Sequence, residues 1–311
     1  MSTSIHDFHD DLRNTKIKIW LNGQLKNRDE AMISVFDSGF VLGDGVWEGF
    51  RIVAGHPVFL DAHLNRLFEG AKAIALDIGM SKQELTRAIY DTLECNAMTD
   101  DVHVRLMVSR GIKRTPYQDP RACIGNATVV IVPEFKQPKP ETINAGLTLF
   151  TVHVRRGYPD VQDPKLNSHS KLNCITACIQ ATEAGADEAL MLDPHGFVAT
   201  CNSTHFFIVR KGEVWTSSGD YCLGGITRAN ILDICRNNGI TCHEKNFSLS
   251  QVYSADEAFC TGTFAGVVPV KKIDGRFIGD NLPGPMVVRL QQLYRELVER
   301  DVMVQSGVRL A

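Results

Sequence analysis

The stretch Leu223-Gly224-Gly225-Ile226-Thr227-Arg228 carries the strongest local signal in the chain, because two glycines lead directly into a segment with helical spacing. Glycine has no side chain, so its backbone can approach a ligand closely. The free amides at a helix start carry a partial positive charge and suit a phosphate group. An ordinary glycine-rich entry to a helix is the competing interpretation, and the stretch alone leaves both open.

Two further segments offer groups that bind phosphate. Thr261-Gly262-Thr263-Phe264-Ala265 follows a short predicted strand and supplies a hydroxyl group and loop amides. Arg66 lies on the first long predicted helix, although a lone arginine there is more often a solvated surface residue. The sequence has no GxxxxGK[ST] loop, and Gly43-Asp44-Gly45 lacks the third glycine of a dinucleotide-binding fingerprint.

Around these segments, strands and helices alternate irregularly with several hairpins, which predicts an α+β fold rather than a doubly wound parallel sheet. Asn22-Gly23 is a hairpin turn signal, Asp61 is expected to cap a helix over Ala62–Leu76, and Ser81 is expected to cap a second helix. The proline-rich stretch 133–140 is expected to be extended and outside any helix or central strand. We therefore predict an N-terminal domain over residues 1–132, a linker over 133–142 and a C-terminal domain over 143–311.

The composition favours a cytoplasmic enzyme. Of 311 residues, 44% are hydrophobic and 22% are charged, as in ordinary globular proteins. Lys and Arg number 33 against 36 Asp and Glu, a net charge of −3 that argues against a nucleic-acid or anionic-membrane partner. No apolar run approaches the roughly 20 residues that span a bilayer, and the first residues do not form a signal peptide. The nine cysteines contain no CxxC pair, so we expect reduced thiols and no metal site.

Taken together, the motifs resemble the class IV (fold type IV) pyridoxal-phosphate aminotransferases, which include branched-chain and D-amino-acid aminotransferases. The resemblance runs from about Lys18 to the end of the chain. Its markers are Gly43-Asp-Gly-Val-Trp-Glu-Gly-Phe-Arg51, His63-Leu-Asn-Arg-Leu67, Ser109-Arg-Gly111, Gly185-Ala-Asp-Glu-Ala-Leu-Met-Leu-Asp193, Leu223–Arg228 and Ala255-Asp-Glu followed by Thr261-Gly-Thr263.

This resemblance implies two domains, a small N-terminal α/β sandwich and a larger C-terminal domain with a barrel-like β core. It also implies pyridoxal 5'-phosphate as cofactor and a homodimer. The residues that match cofactor-binding positions are Arg66 for the phosphate, Ile226 and Thr227 for the phosphate cup, and Thr263 for a hydroxyl contact. Those that match substrate-binding positions are Trp47, Arg105, Phe264 and Ala265, with His103 where branched-chain enzymes usually carry a tyrosine.

The position of the family's Schiff-base lysine departs from the pattern. In an ungapped alignment Asn167 occupies that position, within Asp163-Pro-Lys-Leu-Asn-Ser-His-Ser-Lys-Leu-Asn173. Lys171 lies about one helical turn further on and is the expected catalytic lysine, since its amine would reach the same region. The positive dipole end of a helix start near the phosphate would also lower the pKa of its amine. Lys165 is the alternative carrier, and a solvated helix lysine is the structural alternative for Lys171.

A second departure is Thr200, which stands where the family usually places a glutamate against the cofactor's pyridine nitrogen. A threonine hydroxyl can form a hydrogen bond with that nitrogen, but it cannot hold the proton with a full negative charge. The expected consequence is a weaker electron sink and slower chemistry.

The resemblance therefore predicts an aminotransferase that moves an amino group from a small branched-chain-type amino acid, or from a primary amine with an (R) centre, to a 2-oxo acid. A lyase with the same cofactor is the second hypothesis. A binding protein without catalysis is the third, motivated by Asn167 and Thr200 together. The basic loop 110–121 is a candidate mobile segment, with Arg114 available to a carboxylate or simply solvated.

Overall fold

A computed structural model describes residues 10–307 of the chain, apart from the side chains at positions 142 and 144. Contacts between residues divide it into two compact units. The N-terminal unit consists of residues 10–137, the short segment Leu166–Ser170 and residues 301–307. The C-terminal unit consists of Pro138–Lys165 and Lys171–Arg300. The unit boundary therefore passes twice through the stretch that contains the two candidate lysines.

A six-stranded antiparallel sheet forms the centre of the N-terminal unit. Its strands are β1 (Lys18–Leu21), β2 (Gln24–Asn27), β3 (Gly45–Val53), β4 (His56–Pro57), β5 (Val102–Ser109) and β6 (Thr128–Phe135). They lie in the order β2-β1-β6-β5-β3-β4, and β1 and β2 join at the predicted Asn22-Gly23 turn. Asn22 has a φ of 47° and Gly23 a φ of 88°, the left-handed pair that a tight hairpin turn requires.

Three helices belong to this unit, namely α1 (Ser38–Leu42), α2 (Leu60–Ala73) and α3 (Lys82–Cys95). Helices α2 and α3 share one hydrophobic core with the sheet, to which both contribute leucines at helical spacing. The predicted cap of α3 is confirmed, since the Ser81 hydroxyl accepts from the amide of Glu84. The predicted cap of α2 is wrong. That helix begins after Phe59, whose amide donates to Asp301 at 2.8 Å, so Asp61 lies inside the first turn.

A curled, half-barrel sheet of nine strands forms the centre of the C-terminal unit. Its strands are β7 (Leu147–Thr151), β8 (Glu188–Leu192), β9 (Val198–Cys201), β10 (His205–Arg210), β11 (Glu213–Thr216), β12 (Cys242–Glu244), β13 (Glu257–Gly262), β14 (Gly266–Ile273) and β15 (Arg276–Phe277). Eight lie in the order β12-β11-β10-β13-β14-β7-β8-β9, and β15 pairs with β14. The pairs β11–β12, β14–β7 and β7–β8 are parallel.

Both faces of this sheet are buried, which explains why its strands are apolar at consecutive positions. The helices of the unit are α4 (Pro140–Ala145), α5 (Pro159–Gln162), α6 (Leu172–Glu183), α7 (Ile226–Asn237), α8 (Leu249–Tyr253) and α9 (Pro285–Gln305). On β10, Phe206 and Ile208 face one core, whereas Phe207 and Val209 face a second core shared with α7 and α9. The mixed architecture confirms the predicted α+β class and the family's two-part fold.

The expectation for the proline-rich stretch 133–140 is wrong at both ends. Strand β6 continues through Pro133 to Phe135, and Pro140 begins α4. Pro133 is tolerated because β1 pairs with β6 only as far as Ile131, so no β1 residue lies opposite the missing amide hydrogen. Pro140 occupies the first turn of its helix, where the amide has no intrahelical partner. Within residues 10–307, no helix is both long and apolar enough to cross a membrane.

Candidate cofactor and substrate site

The start of α7 presents backbone amides outside the helical ladder at a glycine pair, as the sequence predicted. Gly225 is the N-cap residue, and among the described residues no side chain caps this end of the helix. The helical ladder begins with the Ala229 amide on the Gly225 carbonyl, so the amides of Ile226 and Thr227 precede it. A side chain at Gly224 would meet no atom within 4 Å. These properties fit a bound phosphate group.

The second predicted phosphate segment forms the tight hairpin between β13 and β14. Gly262 pairs directly with Gly266, so Thr263, Phe264 and Ala265 form a three-residue loop. Phe264 is buried and anchors this loop, whereas Thr263 and Ala265 are half-buried. The loop therefore holds a hydroxyl and several backbone amides in a fixed place.

Thr200 lies on β9, and its hydroxyl is already committed as a donor. Its Oγ1 donates to the Thr204 carbonyl at 2.8 Å inside the buried core. A hydroxyl has one proton, so Thr200 presents only its lone pairs to a further partner. It is therefore suited to accept a hydrogen bond from a protonated ring nitrogen, without the full charge that a glutamate would add.

Glu188 is a buried carboxylate that accepts hydrogen bonds from the turn after β9. The carboxylate accepts hydrogen bonds from the Ser203 amide and hydroxyl, at 3.0 and 2.6 Å, and from the Thr204 hydroxyl at 2.9 Å. Burial raises the pKa of Glu188, and these hydrogen bonds oppose that rise only in part. Its role is to hold the turn that carries Thr204.

The two candidate lysines differ in their surroundings. Lys171 is the N-cap residue of α6 and is half-buried. Lys165 lies six residues earlier, and its ammonium group donates to the carbonyl of Gly219. Both belong to the C-terminal unit, as do Ile226 and Thr227.

The first turn of α6 is fixed to the segment that follows β7. The Asn173 Oδ1 accepts from the Arg156 guanidinium at 3.0 Å, and the Asn173 Nδ2 donates to the Arg155 carbonyl at 3.0 Å. This two-way contact holds the helix start on which Lys171 stands.

Asn167, which the resemblance aligns with the family's lysine, is buried in the N-terminal unit. Its Nδ2 donates to the Trp47 carbonyl at 2.6 Å, and its own carbonyl accepts from the Trp47 amide at 3.0 Å. The Trp47 indole donates to the neighbouring Ser168 carbonyl at 3.0 Å. Residues 166–170 thus lie along β3 as an additional partner segment.

Arg66 lies on α2 and forms a two-pronged ion pair with the fully buried Glu48. Its Nε and Nη2 donate to the two carboxylate oxygens at 2.7 and 2.6 Å, and His63 Nδ1 lies 2.6 Å from the same carboxylate. Burial alone would raise the pKa of Glu48, but the hydrogen bonds from His63 and Arg66 outweigh it and hold the pKa below its ordinary value. Burial also lowers the pKa of His63, so the imidazole is neutral. The Arg66 guanidinium therefore has a fixed plane.

Trp47 and Arg105 form a stacked pair on one face of the N-terminal sheet. The Arg105 guanidinium lies 3.8 Å from the centre of the Trp47 ring. No carboxylate among the described residues lies at ion-pair distance from Arg105, and burial lowers the pKa of its guanidinium. The His103 ring packs against Gly49, and a Cβ atom on Gly49 would lie 3.1 Å from that ring. This face therefore presents a cation without an ion-pair partner in the part of the chain that the structure describes.

The sequence-predicted residues fall into two sets. In the C-terminal unit, Thr200 bonds to Thr204, whose methyl group lies beside Gly262, the residue before Thr263. The start of α7 joins this neighbourhood through His205, which contacts Gly225. Arg66, Trp47 and Arg105 form the second set, in the N-terminal unit. Arg114, on the exposed basic loop, makes a backbone contact to Ala122 at 2.8 Å.

Sequence reasoning missed Glu48 and His205. Glu48 was visible only as part of a motif, although a carboxylate in an apolar strand is itself a signal of a buried ion pair. His205 gave no signal, because its partner Leu223 lies 18 residues away in a loop.

The comparisons with known proteins agree with the fold. The family model Amino-transferase class IV matches residues 45–273. The branched-chain-amino-acid aminotransferase-like protein 1 of Arabidopsis thaliana is 40% identical over 92% of this chain, which spans only 51% of that relative. A putative branched-chain-amino-acid aminotransferase of Methanocaldococcus jannaschii is 37% identical, over 90% of this chain and 96% of its own length. The solved branched-chain aminotransferase of Thermoproteus uzoniensis with norvaline has a TM-score of 0.82 at 30% identity, over 91% of this chain and 95% of its own.

Proposed function

Because the chain belongs to the class IV aminotransferase family, we propose that it is a transaminase that moves an amino group from a small amino acid or primary amine to a 2-oxo acid. The family uses pyridoxal 5'-phosphate, and related solved structures contain derivatives of it. The observation that carries the proposal is the uncapped glycine start of α7, joined through His205 and the hairpin to Thr200 within one unit. The branched-chain names of the relatives make a branched-chain amino acid the first donor to test.

Residues of the C-terminal unit fit the cofactor in three places. The amides of Ile226 and Thr227 would hold the phosphate group, with the Thr263 hydroxyl as a further partner. The Thr200 hydroxyl would accept a hydrogen bond from the pyridine nitrogen. When bound, the cofactor supplies an electron sink for the bond broken at the substrate carbon.

Lys171 is the residue that we propose for cofactor attachment and proton transfer at the substrate carbon. Asn167 supports this assignment, because it is held against Trp47 and has no amine. Lys165 is engaged by the Gly219 carbonyl. Lys171 is the N-cap residue of a helix whose first turn is fixed through Asn173. The backbone that carries its amine is therefore held in place.

Arg105 is the residue that we propose for a substrate carboxylate. Its half-buried guanidinium is stacked on Trp47 and has no carboxylate partner among the described residues. A carboxylate at that point would gain a charge-assisted hydrogen bond in a partly desolvated place. The amides of the Phe264–Ala265 loop are a second candidate for substrate binding.

We further propose a cytoplasmic homodimer. The family resemblance implies the dimer, and a segment of residues 32–42 exposes large apolar side chains that include Met32, Val35 and Phe40, at 75%, 69% and 69% exposure. All nine cysteines lie within the described residues and are free thiols, which suits a reducing compartment.

The test combines covalent trapping with turnover. The protein is incubated with pyridoxal phosphate, reduced with borohydride and mapped by peptide mass spectrometry, and amino donors are then screened with pyruvate and 2-oxoglutarate. We expect a reduced adduct on Lys171 and acceptor-dependent turnover that is absent from Lys171→Met. Pyruvate release without an acceptor would indicate the lyase hypothesis instead. Binding without any adduct or turnover would overturn the transaminase proposal in favour of a binding protein.

A further inference from the structure

In the segment between β11 and α7, side chains form hydrogen bonds with the backbone carbonyls. Apart from a turn at Asp220–Tyr221, residues 217–223 form no hydrogen bond with another backbone group of the described residues. Much of this segment is nonetheless buried, Ser217 and Cys222 almost completely. Buried carbonyl groups need partners, so side chains must supply them.

Four side chains do so, one at every second carbonyl. Arg228 Nη2 donates to the Ser217 carbonyl at 2.7 Å, Lys165 Nζ to that of Gly219, Arg156 Nε to that of Tyr221 at 3.3 Å, and His205 Nε2 to that of Leu223 at 2.8 Å. We call these four residues the carbonyl bracket. Because a carbonyl only accepts, His205 must carry its proton on Nε2.

The members of the carbonyl bracket come from separate parts of the C-terminal unit. Arg228 stands on α7 and His205 begins β10, whereas Arg156 follows β7 and Lys165 follows α5. The segment cannot shift toward one of these elements without breaking its contact with another. Its last residues, Gly224 and Gly225, therefore enter α7 in a fixed direction.

His205 sets the position of the helix cap itself. A Cβ on Gly225 would lie 2.2 Å from the His205 ring, so the imidazole packs directly on the glycine backbone. The same ring bonds to the Leu223 carbonyl. The His205 side chain thus holds the chain on both sides of Gly224, at Leu223 and at Gly225, just before the amides of Ile226 and Thr227.

Three members of the carbonyl bracket are cations, and the Arg228 charge is shared with Glu244 at 2.8 Å. Their hydrogen bonds fix the segment that leads into the positive end of the α7 dipole, where an anion is stabilised. The arrangement favours a ligand with a phosphate over the same ligand without one.

We propose that Arg156, Lys165, His205 and Arg228 are positioning residues that hold residues 217–223 by alternate carbonyls and so present the α7 amides to the cofactor's phosphate. This inference rests on the proposed function for the identity of the phosphate ligand. It also assigns Lys165 to the carbonyl bracket, which leaves Lys171 for covalent attachment.

The experiment measures how strongly the protein prefers a phosphorylated ligand. Dissociation constants for pyridoxamine 5'-phosphate and for pyridoxamine are determined by calorimetry on cofactor-free wild type, Lys165→Met, Lys165→Arg and Arg156→Met. Neither ligand has an aldehyde, so the ratio of the two constants reports the phosphate site without covalent chemistry. Lys272→Met is the matched control, since Lys272 is on β14, lies over the Phe277 ring of β15 and is outside the carbonyl bracket.

We expect the preference for the phosphorylated ligand to fall about tenfold in Lys165→Met and in Arg156→Met, consistent with the loss of one charge-assisted contact. Lys165→Arg should recover most of it, and Lys272→Met should match wild type. Borohydride should still label Lys171 in Lys165→Met. A general loss of stability would weaken both ligands alike and leave the ratio unchanged.

Two results would overturn the proposal. The first is an unchanged ratio in both Met variants. The second is loss of the borohydride adduct in Lys165→Met with full affinity for pyridoxamine phosphate, which would make Lys165 the attachment residue. Failure of the proposed function is seen separately, as absent turnover in a wild type that still prefers the phosphorylated ligand. A wild type without that preference would contradict both proposals.

Discussion

Asn167 shows how one residue can change roles when the chain departs from a family pattern. At the position where relatives are expected to carry a reactive amine, this chain has a buried amide that ties residues 166–170 to β3. The side-chain amide donates a hydrogen bond to a strand carbonyl in a partly buried place, and such a bond contributes to stability.

We predict that Asn167→Ala lowers the free energy of unfolding by about 1–3 kcal/mol, because the Trp47 carbonyl loses its partner in a buried place. Urea unfolding followed by tryptophan fluorescence measures this. Ser170→Ala, at an exposed neighbour with a 3.2 Å contact to Gly43, is the control and should change stability by less than about 0.5 kcal/mol. Equal effects of the two substitutions would contradict the assigned role.

The lowered pKa values of Glu48 and His63 predict that the N-terminal unit loses stability in acid. The pKa of Glu48 is held below its ordinary value of 4.5, and burial holds that of His63 below 6.5. Both groups therefore bind protons more readily in the unfolded chain, so stability falls as the pH falls. His63 contributes from about pH 6.5 downward and Glu48 from about pH 4.5 downward.

The measurement is the free energy of unfolding between pH 7.5 and pH 4, expected to decline by up to about 1.4 kcal/mol per pH unit for each extra proton bound on unfolding. His63→Gln should flatten the decline above pH 5, although its stability at pH 7 will be lower. His195→Gln, at an exposed position, should retain the wild-type slope. A slope that is the same in all three proteins would contradict the assignment to His63.

At the scale of the element, the start of α7 depends on Gly225 and not on Gly224. Gly225 needs the absence of a side chain because the His205 ring fills that space, whereas a side chain at Gly224 meets nothing. Neither glycine has a positive φ, so the requirement at Gly225 is steric and not conformational.

We predict that Gly225→Ala weakens pyridoxamine 5'-phosphate binding by at least about tenfold, because the new methyl group displaces His205 and the helix cap with it. Gly224→Ala is the matched control and should bind within about twofold of wild type. Calorimetry with circular dichroism separates lost binding from lost folding. Similar affinities for the two variants would show that the His205 contact is unimportant.

At the scale of the whole molecule, the exposed apolar segment 32–42 is a candidate contact surface. Six large apolar side chains are exposed within these eleven residues, a concentration that is typical of an interaction surface. A second copy of the chain is the partner that the family resemblance implies.

Sedimentation analysis is expected to give twice the mass of one chain at micromolar concentration. Phe40→Asp should weaken the dimer at least about tenfold by placing a charge in an apolar contact. Val161→Asp is the control, since Val161 is 80% exposed and lies on α5, outside the segment. A monomeric wild type, or equal effects of the two substitutions, would contradict the dimer proposal.

Several features were predictable from the sequence because they depend on neighbours along the chain. The Asn22-Gly23 hairpin, the Ser81 cap and the glycine start of α7 each involve residues within a few positions of one another. The α+β class followed from the same local patterns, and the motifs in their order were sufficient for the family. Expectations failed where a distant residue intervened, as when Asp301 fixed the amide of Phe59 and shifted the start of α2.

Only the tertiary structure decided which distant atom each polar group meets. Lys165 donates a hydrogen bond to a carbonyl 54 residues away, and Asn167 donates one to a carbonyl 120 residues away. Because the two residues share the same sequence neighbourhood, that neighbourhood did not predict their separate partners. The spacing of residues determines which face of a helix or strand a side chain occupies, because that depends on backbone geometry alone. The partner on that face depends on how strands and loops from remote parts of the chain pack together, and packing has no local signature in the sequence.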